Sequence, residues 1–186
     1  MKQDSAKKLW IISGSSGVGK GTVLKAVLAK RPDLKVSISC TTRKKREGEV
    51  HGVNYFYITD EEFKQSIEND EFLEWAEFSG HYYGTKKAFV EECLANDEHV
   101  ILEIETQGAL KVKTKMPEAV MIFIVPPSYE ELESRLRGRK TETEEAIKKR
   151  LEFVQFEQEN SKQYDYIVVN DVVQRAADQI LELIGD

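Results

Sequence analysis

The chain has 186 residues, of which 40% are hydrophobic and 32% charged, a balance that fits one globular domain with a real core and excludes disordered and fibrous classes. Its net charge of −6, from 27 basic and 33 acidic residues, gives no general attraction for nucleic acid, so a polyanion has to be met by local basic clusters. Cys40 and Cys93 lack metal-ligand spacing and are too few for a disulfide framework, the N-terminus does not read as a signal sequence, and no apolar run reaches the about 18 residues of a membrane span. A soluble, cytoplasmic protein with buried or inert thiols is expected.

Leu9 to Ile12 is an apolar run that predicts a buried strand, and it leads into Gly14, Gly17, Gly19 and Lys20. Val23, Leu24, Val27 and Leu28 then recur at helical spacing. Strand, glycine loop, lysine and helix in that order form a P-loop pattern. A phosphate chain is wrapped closely only where backbone N–H groups converge without β-carbons in the way, at the positive end of a helix. Lysine adds a mobile point charge for the β- and γ-phosphates. The usual pattern places Ser or Thr directly after the lysine, whereas Gly21 stands here and Thr22 follows, so a direct hydroxyl ligand for Mg²⁺ is missing from its usual place.

Pro32 closes the first helix, and Leu34 to Ile38 predicts a second strand. The stretch from Ser39 to Glu49 is polar and basic, with four cations at Arg43 to Arg46, and Tyr55, Phe56 and Tyr57 follow it. Two arginines three residues apart beside Ser39, Thr41, Thr42 and Tyr55 suit a phosphate clamp; a solvated loop or a short basic address is equally compatible with the composition. Thr59 to Glu62 is a capping box that starts a helix over 59–69. Phe72 to Phe78 alternates as a strand, in which Glu74 and Glu77 read as its polar face. His81 to Thr85 reads as a turn, with a helix through Phe89, Val90 and Leu94.

Val100 to Ile104 is a further core strand, and Glu103 and Glu105 at its carboxyl end share a face. Beside a P-loop they suit an outer-shell hold on Mg²⁺ or its waters; they equally suit capping the next helix. Val120 to Val125 is a third core strand, ended by Pro126 and Pro127, and Ser128 to Glu131 caps a helix with Leu132 and Leu136. Arg135, Arg137, Arg139 and Lys140 surround Gly138, a capping box spans Thr141 to Glu144, and Ile147, Leu151 and Val154 form an apolar stripe on a helix that carries Arg150. This arginine cluster reads either as a lid over phosphates or as a plain surface helix. Tyr166 to Val169 is a last strand, Asn170 and Asp171 form a turn, and Val173 to Ile184 is an amphipathic helix. The alternation predicts an α/β fold with a parallel sheet covered by helices on both faces, interrupted from about residue 37 to 94 by an inserted substructure.

Taken together, these stretches resemble the guanylate kinases, P-loop kinases that transfer the γ-phosphoryl of ATP to GMP with Mg²⁺, and the likeness runs from Ile12 to about Asp171. SGSSGVGKGT is similar to the family's P-loop, with Ser15 in place of a usual proline, and implies ATP binding by Ser15, Ser16, Gly17, Val18, Gly19, Lys20, Gly21 and Thr22. SCTTRKKREGEVHGVNYFY resembles the stretch that binds GMP, which implies roles for Ser39, Arg43, Arg46 and Tyr55, the last three on its phosphate. EFLEWAEFSGHYYGT resembles the segment that supplies Glu74 and Thr85 to guanine and Tyr83 to the phosphate. In ILEIETQGA the second acid also reaches the base; it is Glu105 here, where Asp is more usual. RLRGRKTETEEAIKKRL resembles the lid, with Arg135, Arg139 and Arg150 around the phosphates and Lys140 where glycine is the norm. Asn170 matches a position near the ATP adenine.

The resemblance implies a single domain with its core at about 1–36, 95–134 and 151–186, a GMP-binding insertion at about 37–94 and a lid at about 135–150. It implies that Lys20, Arg43, Arg135, Arg139 and Arg150 serve catalysis, that Glu103, Glu105 and Thr22 are the candidates around Mg²⁺, and that the protein is a monomer or homodimer with neither nucleic acid nor membrane as partner. Two other readings share parts of the pattern: a non-catalytic guanylate-kinase-like binding domain, and a kinase for AMP or a sugar phosphate. The intact Gly17, Gly19 and Lys20 weigh against the first, and Glu74, Thr85 and Glu105 against the second.

Overall fold

The computed structural model describes residues 8–15, 17–78, 80–138, 144–145, 147–148, 151 and 159–185. In chain order its elements are β1 (Leu9–Gly14), α1 (Lys20–Lys30), β2 (Lys35–Ser37), β3 (Cys40–Thr41), β4 (Phe56–Tyr57), α2 (Asp60–Glu68), β5 (Phe72–Phe78) and β6 (His81–Lys86). There follow α3 (Lys87–Ala95), β7 (Val100–Glu103), α4 (Thr106–Lys115), β8 (Val120–Val125), α5 (Tyr129–Gly138), β9 (Tyr166–Val169) and α6 (Val173–Ile184). A five-stranded sheet has the order β2-β7-β1-β8-β9, with the pairs β2–β7 and β8–β9 parallel. A four-stranded sheet has the order β4-β3-β6-β5, with β6 antiparallel to both β3 and β5.

Two compact units emerge from the packing. One is built on Ile11–Asp33 and the chain from Val120 onward; the other is built on Leu34–Ala119 with the first residues of β1. Every residue of β1 is buried, as a strand inside a parallel sheet requires. Helix α1 buries Val23, Leu24 and Val27, and α6 buries Ala176, Ala177, Ile180 and Ile184, one stripe of an amphipathic helix. Lys30 pairs with Asp178, and the Arg31 guanidinium donates to the Gly185 carbonyl at 2.6 Å, tying the end of α1 to the end of α6.

In the second unit Phe63 of α2 stacks on Phe72 of β5 and on Tyr82 of β6, with ring centroids 4.5 and 5.4 Å apart, and Cys40 is buried in the same cluster. Both cysteines are free and buried. The Thr59 hydroxyl accepts from the Glu62 N–H while the Glu62 carboxylate accepts from the Thr59 N–H, which is the capping box expected from the sequence.

The stretch His81 to Thr85, expected as a turn, is instead strand β6. Its polar, glycine-containing composition favours a turn only while it is read alone. As an inner strand of the sheet it is paired on both sides, and Tyr82 gains an aromatic partner, so pairing and packing override local preference. Strand β5 also departs from simple alternation. A register irregularity between Phe72 and Glu74 leaves Phe72, Leu73 and Glu74 buried in succession.

Removal of the α2 cap by Thr59→Ala leaves an orphan donor at the helix start, and the expected loss is about 1 kcal/mol of unfolding free energy. A shift of the urea midpoint at unchanged slope checks it.

Candidate active site

The phosphate loop is shaped by approaches that only glycine permits. A β-carbon on Gly14 would lie 2.4 Å from the Ile124 carbonyl oxygen of β8. One on Gly17, at φ +88, would lie 2.7 Å from the Leu136 side chain of α5, and one on Gly19, at φ +96, would lie 2.8 Å from the Asn170 amide nitrogen. The loop is braced from inside as well. Asn170 is buried after β9 and its amide donates to the Val18 carbonyl at 2.7 Å, while the Val18 N–H donates to the Ser15 carbonyl at 3.0 Å.

Helix α1 starts at Lys20 with Gly19 as its N-cap, with no side-chain cap and no acidic residue in its first turn. A helix start left in that state offers its N–H groups and positive end to an anion. The Lys20 ammonium donates to the Gly14 carbonyl at 2.5 Å, so the cation is folded back over the loop it serves. Ser15 is buried, and Gly21 and Thr22 are exposed. Ser16 lies outside the described residues.

The basic stretch of the second unit is organised by an acid. Glu49 accepts from both ends of the Arg43 guanidinium, Oε1 from Nη2 at 2.8 Å and Oε2 from Nη1 at 3.0 Å. Its Oε2 also accepts from the Tyr57 hydroxyl and from the Arg46 N–H, each at 2.8 Å. The pair is well covered, with 11% of the Arg43 side chain and 19% of the Glu49 side chain exposed, by immediate neighbours rather than by depth in the fold. The hydrogen bond from Arg43 is the largest cause that pulls the Glu49 carboxyl down to about 2, and the same bond pushes the Arg43 guanidinium further above its ordinary value.

Register places two tyrosines against this arginine. Thr41 of β3 lies opposite Tyr83 of β6, so Arg43, two residues on, comes beside it. The Tyr55 ring centroid lies 5.5 Å from the Arg43 Cζ and 5.9 Å from the Tyr83 ring. Burial first, then the negative charge of Glu103, raises the Tyr55 hydroxyl to about 12, with Glu105 adding to it; the phenol is therefore a neutral donor near pH 7. Ser39 is half-buried and its carbonyl accepts from the Phe56 N–H at 2.9 Å, joining β3 to β4.

Glu74 is the buried carboxylate of the site, 5% exposed. It lies opposite Thr85 in the β5–β6 register, and the Thr85 hydroxyl donates to its Oε1 at 2.7 Å. From α4, Lys111 donates to the Trp75 carbonyl at 2.6 Å and Lys115 to the Leu73 carbonyl at 2.5 Å, so the backbone on each side of Glu74 is pinned. Gly108 in α4 makes room for the carboxylate: a β-carbon there would stand 2.5 Å from Glu74 Oε2. Burial raises the Glu74 carboxyl above its ordinary value, against the lowering effects of Thr85, Lys111 and Lys115. Glu77, three residues along the same strand, is exposed.

Glu103 ends β7, and Glu105 is the N-cap residue of α4 by backbone position, though its side chain makes no capping bond. Of the arginines expected around phosphates, Arg135 lies on α5, and Arg139 and Arg150 lie outside the described residues, as does the capping box at 141–144 apart from Glu144. Local sequence patterns single out neither Glu49 nor Gly108. Tyr57 is not singled out either; its spacing of two from Tyr55 is the one local signal that points to it.

Among the described residues no group of three or more His, Cys, Asp or Glu side chains could hold a metal. The Thr22 hydroxyl in the first unit, and the Glu103 and Glu105 carboxylates in the second, are each of the chemical kind that Mg²⁺ accepts when most of its shell is water and phosphate. Among the described residues no helix is long and apolar enough to cross a membrane.

A buried strand running into a glycine-cradled loop, an uncapped helix start and a lysine folded over it define an α/β P-loop nucleotide-binding protein of the kinase type. The guanylate kinase family profile matches residues 6–186. The chain is 54% identical over 176 residues to a guanylate kinase of Caldanaerobacter subterraneus subsp. tengcongensis, covering 95% of this chain and 85% of that one. It is 49% identical over 178 residues to one of Prochlorococcus marinus, covering 96% and 97%. Among solved structures, guanylate kinase from Anaplasma phagocytophilum superposes with a TM-score of 0.81 at 32% identity, covering 96% of this chain and 85% of that one. This chain belongs to the guanylate kinase family.

Two outcomes are expected from the acidic groups. The folded-state Glu49 value of about 2 lies below its ordinary 4.5, so the ion pair stabilises the fold above the unfolded value and that contribution is lost as pH falls from about 4.5 through 2. The stability difference between wild type and Glu49→Gln, measured by urea unfolding, is therefore constant near neutral pH and shrinks across that acid window. Gly108→Ala forces the Glu74 carboxylate aside within a packed interior, with an expected loss of about 1–3 kcal/mol in the same measurement.

Proposed function

We propose that this protein transfers the γ-phosphoryl group of ATP to GMP, forming ADP and GDP by direct in-line displacement without a covalent intermediate. The observation that carries this reading is Glu74: a buried carboxylate that accepts from Thr85, on the same sheet as Tyr83, whose ring stands beside Tyr55 and Arg43. Guanine presents two adjacent donors, N1–H and the N2 amino group, and one ionised carboxylate accepts both. Adenine presents a lone pair at N1 and no amino group at C2. Glu74 would then face a lone pair while its own charge went unmatched, and sites built around such polar partners reject an analogue lacking them by roughly 10⁴ to 10⁵. Thr85 and Glu105 complete the base site, and Ser39, Arg43, Arg46, Tyr55 and Tyr83 bind the rest of GMP, chiefly its phosphate.

On the ATP side, Ser15 to Thr22 wrap the phosphates, Lys20 meets the β- and γ-oxygens, and Asn170 lies toward the adenine. Residues 37–94 form the GMP-binding insertion and 135–150 the lid, which brings Arg135, Arg139 and Arg150 to the phosphates and excludes water that would otherwise hydrolyse ATP. Thr22, Glu103 and Glu105 would hold, through water, a Mg²⁺ that arrives with ATP, and that ion would supply charge neutralisation to the phosphates. The chain's own part in the reaction is to align acceptor and donor and to offset charge that spreads as the phosphoryl group moves. The protein works in the cytoplasm as a monomer or homodimer.

A coupled assay of ADP release with GMP, AMP and phosphorylated sugars as acceptors tests the reading, with GMP expected to be strongly preferred. Lys20→Ala and Arg139→Ala are expected to lower kcat by about 10² to 10⁵ with GMP binding little changed. Wild-type turnover in either folded variant contradicts the roles given to those residues. Glu74→Gln replaces one acceptor oxygen with a donor, and kcat/KM for GMP is expected to fall by at least about tenfold, with a narrower GMP-to-AMP ratio.

A further inference from the structure

An arginine guanidinium has two edges that can each hold two oxygens, one made of Nη1 and Nη2 and the other of Nε and Nη2. In Arg43 the first edge is taken by Glu49, and Nη1 gives its remaining hydrogen to the Lys44 carbonyl at 2.8 Å. Both Nη1 hydrogens and one Nη2 hydrogen are thereby used. The second edge, Nε–H with the other Nη2–H, points away from Glu49 and has the spacing of two phosphate oxygens, and the Tyr83 hydroxyl lies within hydrogen-bond reach of the same guanidinium, as a further group for a phosphate to meet.

Glu49 is saturated in turn. A carboxylate has about four lone-pair sites, and its acceptances from Nη1, Nη2, the Tyr57 hydroxyl and the Arg46 N–H fill them. It is thus spent as a base or a metal ligand. The same carboxylate holds the side chain at one end of the basic run and the backbone at the other, Arg43 and Arg46. Without it, four consecutive cations on a polar loop repel one another and pay side-chain entropy to converge on an anion. Tyr57 closes the arrangement from the next strand, with its ring centroid 5.8 Å from the Arg43 Cζ.

We propose that Glu49 is a positioning residue for the acceptor's phosphate: it occupies one edge of Arg43 and the Arg46 backbone so that the other edge of Arg43 is presented, already ordered, to two phosphate oxygens. The proposal rests on the reading of the second unit as the GMP site. Affinity gained this way comes from ordering completed before binding, so it acts on the phosphate-bearing ligand and leaves the base alone.

The test is steady-state kinetics with GMP and ATP, together with the inhibition constant of guanosine, which has the base and lacks the phosphate. Glu49→Gln cannot grip both nitrogens of the guanidinium, and KM for GMP is expected to rise by about tenfold or more, the scale of one charge-assisted hydrogen bond, with KM for ATP and the guanosine constant within about twofold of wild type. Tyr57→Phe, which removes a single donor from Glu49 and keeps the ring, is expected to raise KM for GMP by about two- to threefold, again with guanosine unaffected, and it serves if Glu49→Gln does not fold. An equal weakening of GMP and guanosine overturns the proposal, since a merely structural role would impair both. Arg43→Lys separates the two levels. If it binds GMP as wild type does, the GMP-site reading itself fails; if it loses GMP while Glu49→Gln and Tyr57→Phe keep wild-type constants, only the positioning role of Glu49 falls.

Discussion

The loop after β1 must press its backbone against β8, α5 and Asn170 more closely than a β-carbon allows, and the phosphate-binding half of the protein depends on that constraint. Three glycines meet it at Gly14, Gly17 and Gly19, each with a different neighbour within 3 Å of the place a β-carbon would take. The loop is supported from behind, and the uncapped start of α1 adds the positive end of a helix. The bond from the Lys20 ammonium to the Gly14 carbonyl keeps its charge near the loop.

The second unit uses two carboxylates in opposite ways, and the difference follows from their surroundings. Glu49 is met by four donors and is held strongly ionised, so it serves as a fixed anchor for cations. Glu74 is deeply buried, is met by one hydroxyl on Oε1, and burial opposes its charge. A carboxylate in that state gains most from a ligand that brings two N–H donors, since the ligand returns the solvation that folding removed. Its place is set by the surroundings of β5: Lys111 and Lys115 pin the strand on both sides, and Gly108 leaves the gap into which the oxygen fits.

The tyrosines link these two carboxylates into one surface. Tyr83 on β6 is two residues from Thr85, so the strand that supplies the hydroxyl for Glu74 also carries the ring beside Tyr55 and Arg43. In the proposed reading, base recognition and phosphate recognition are therefore held in register by the hydrogen bonds of a single inner strand. A shift of β6 by one residue would turn Thr85 and Tyr83 to the opposite face together.

The α/β class, the glycine loop with Lys20, the three core strands at Leu9, Val100 and Val120 and the α2 capping box were legible in the sequence, because each rests on local periodicity, backbone freedom or capping chemistry within a few residues. The candidate residues of the second unit were legible as well, through a family resemblance rather than through spacing. Tertiary structure decided that His81 to Lys86 is a strand, since it pairs on one side with β3, far away in the chain, as well as on the other with the adjoining β5. It decided which side of the strand is covered: Glu74 and Glu77, three residues apart, face opposite sides, and Glu74 is buried because α4 packs on its side while Glu77 is exposed. It also decided that the basic run is held by Glu49 and Tyr57, and that Gly108 is a gap for a carboxylate. Such pairings carry no local periodicity; they exist only once the sheet has set which side chains face one another.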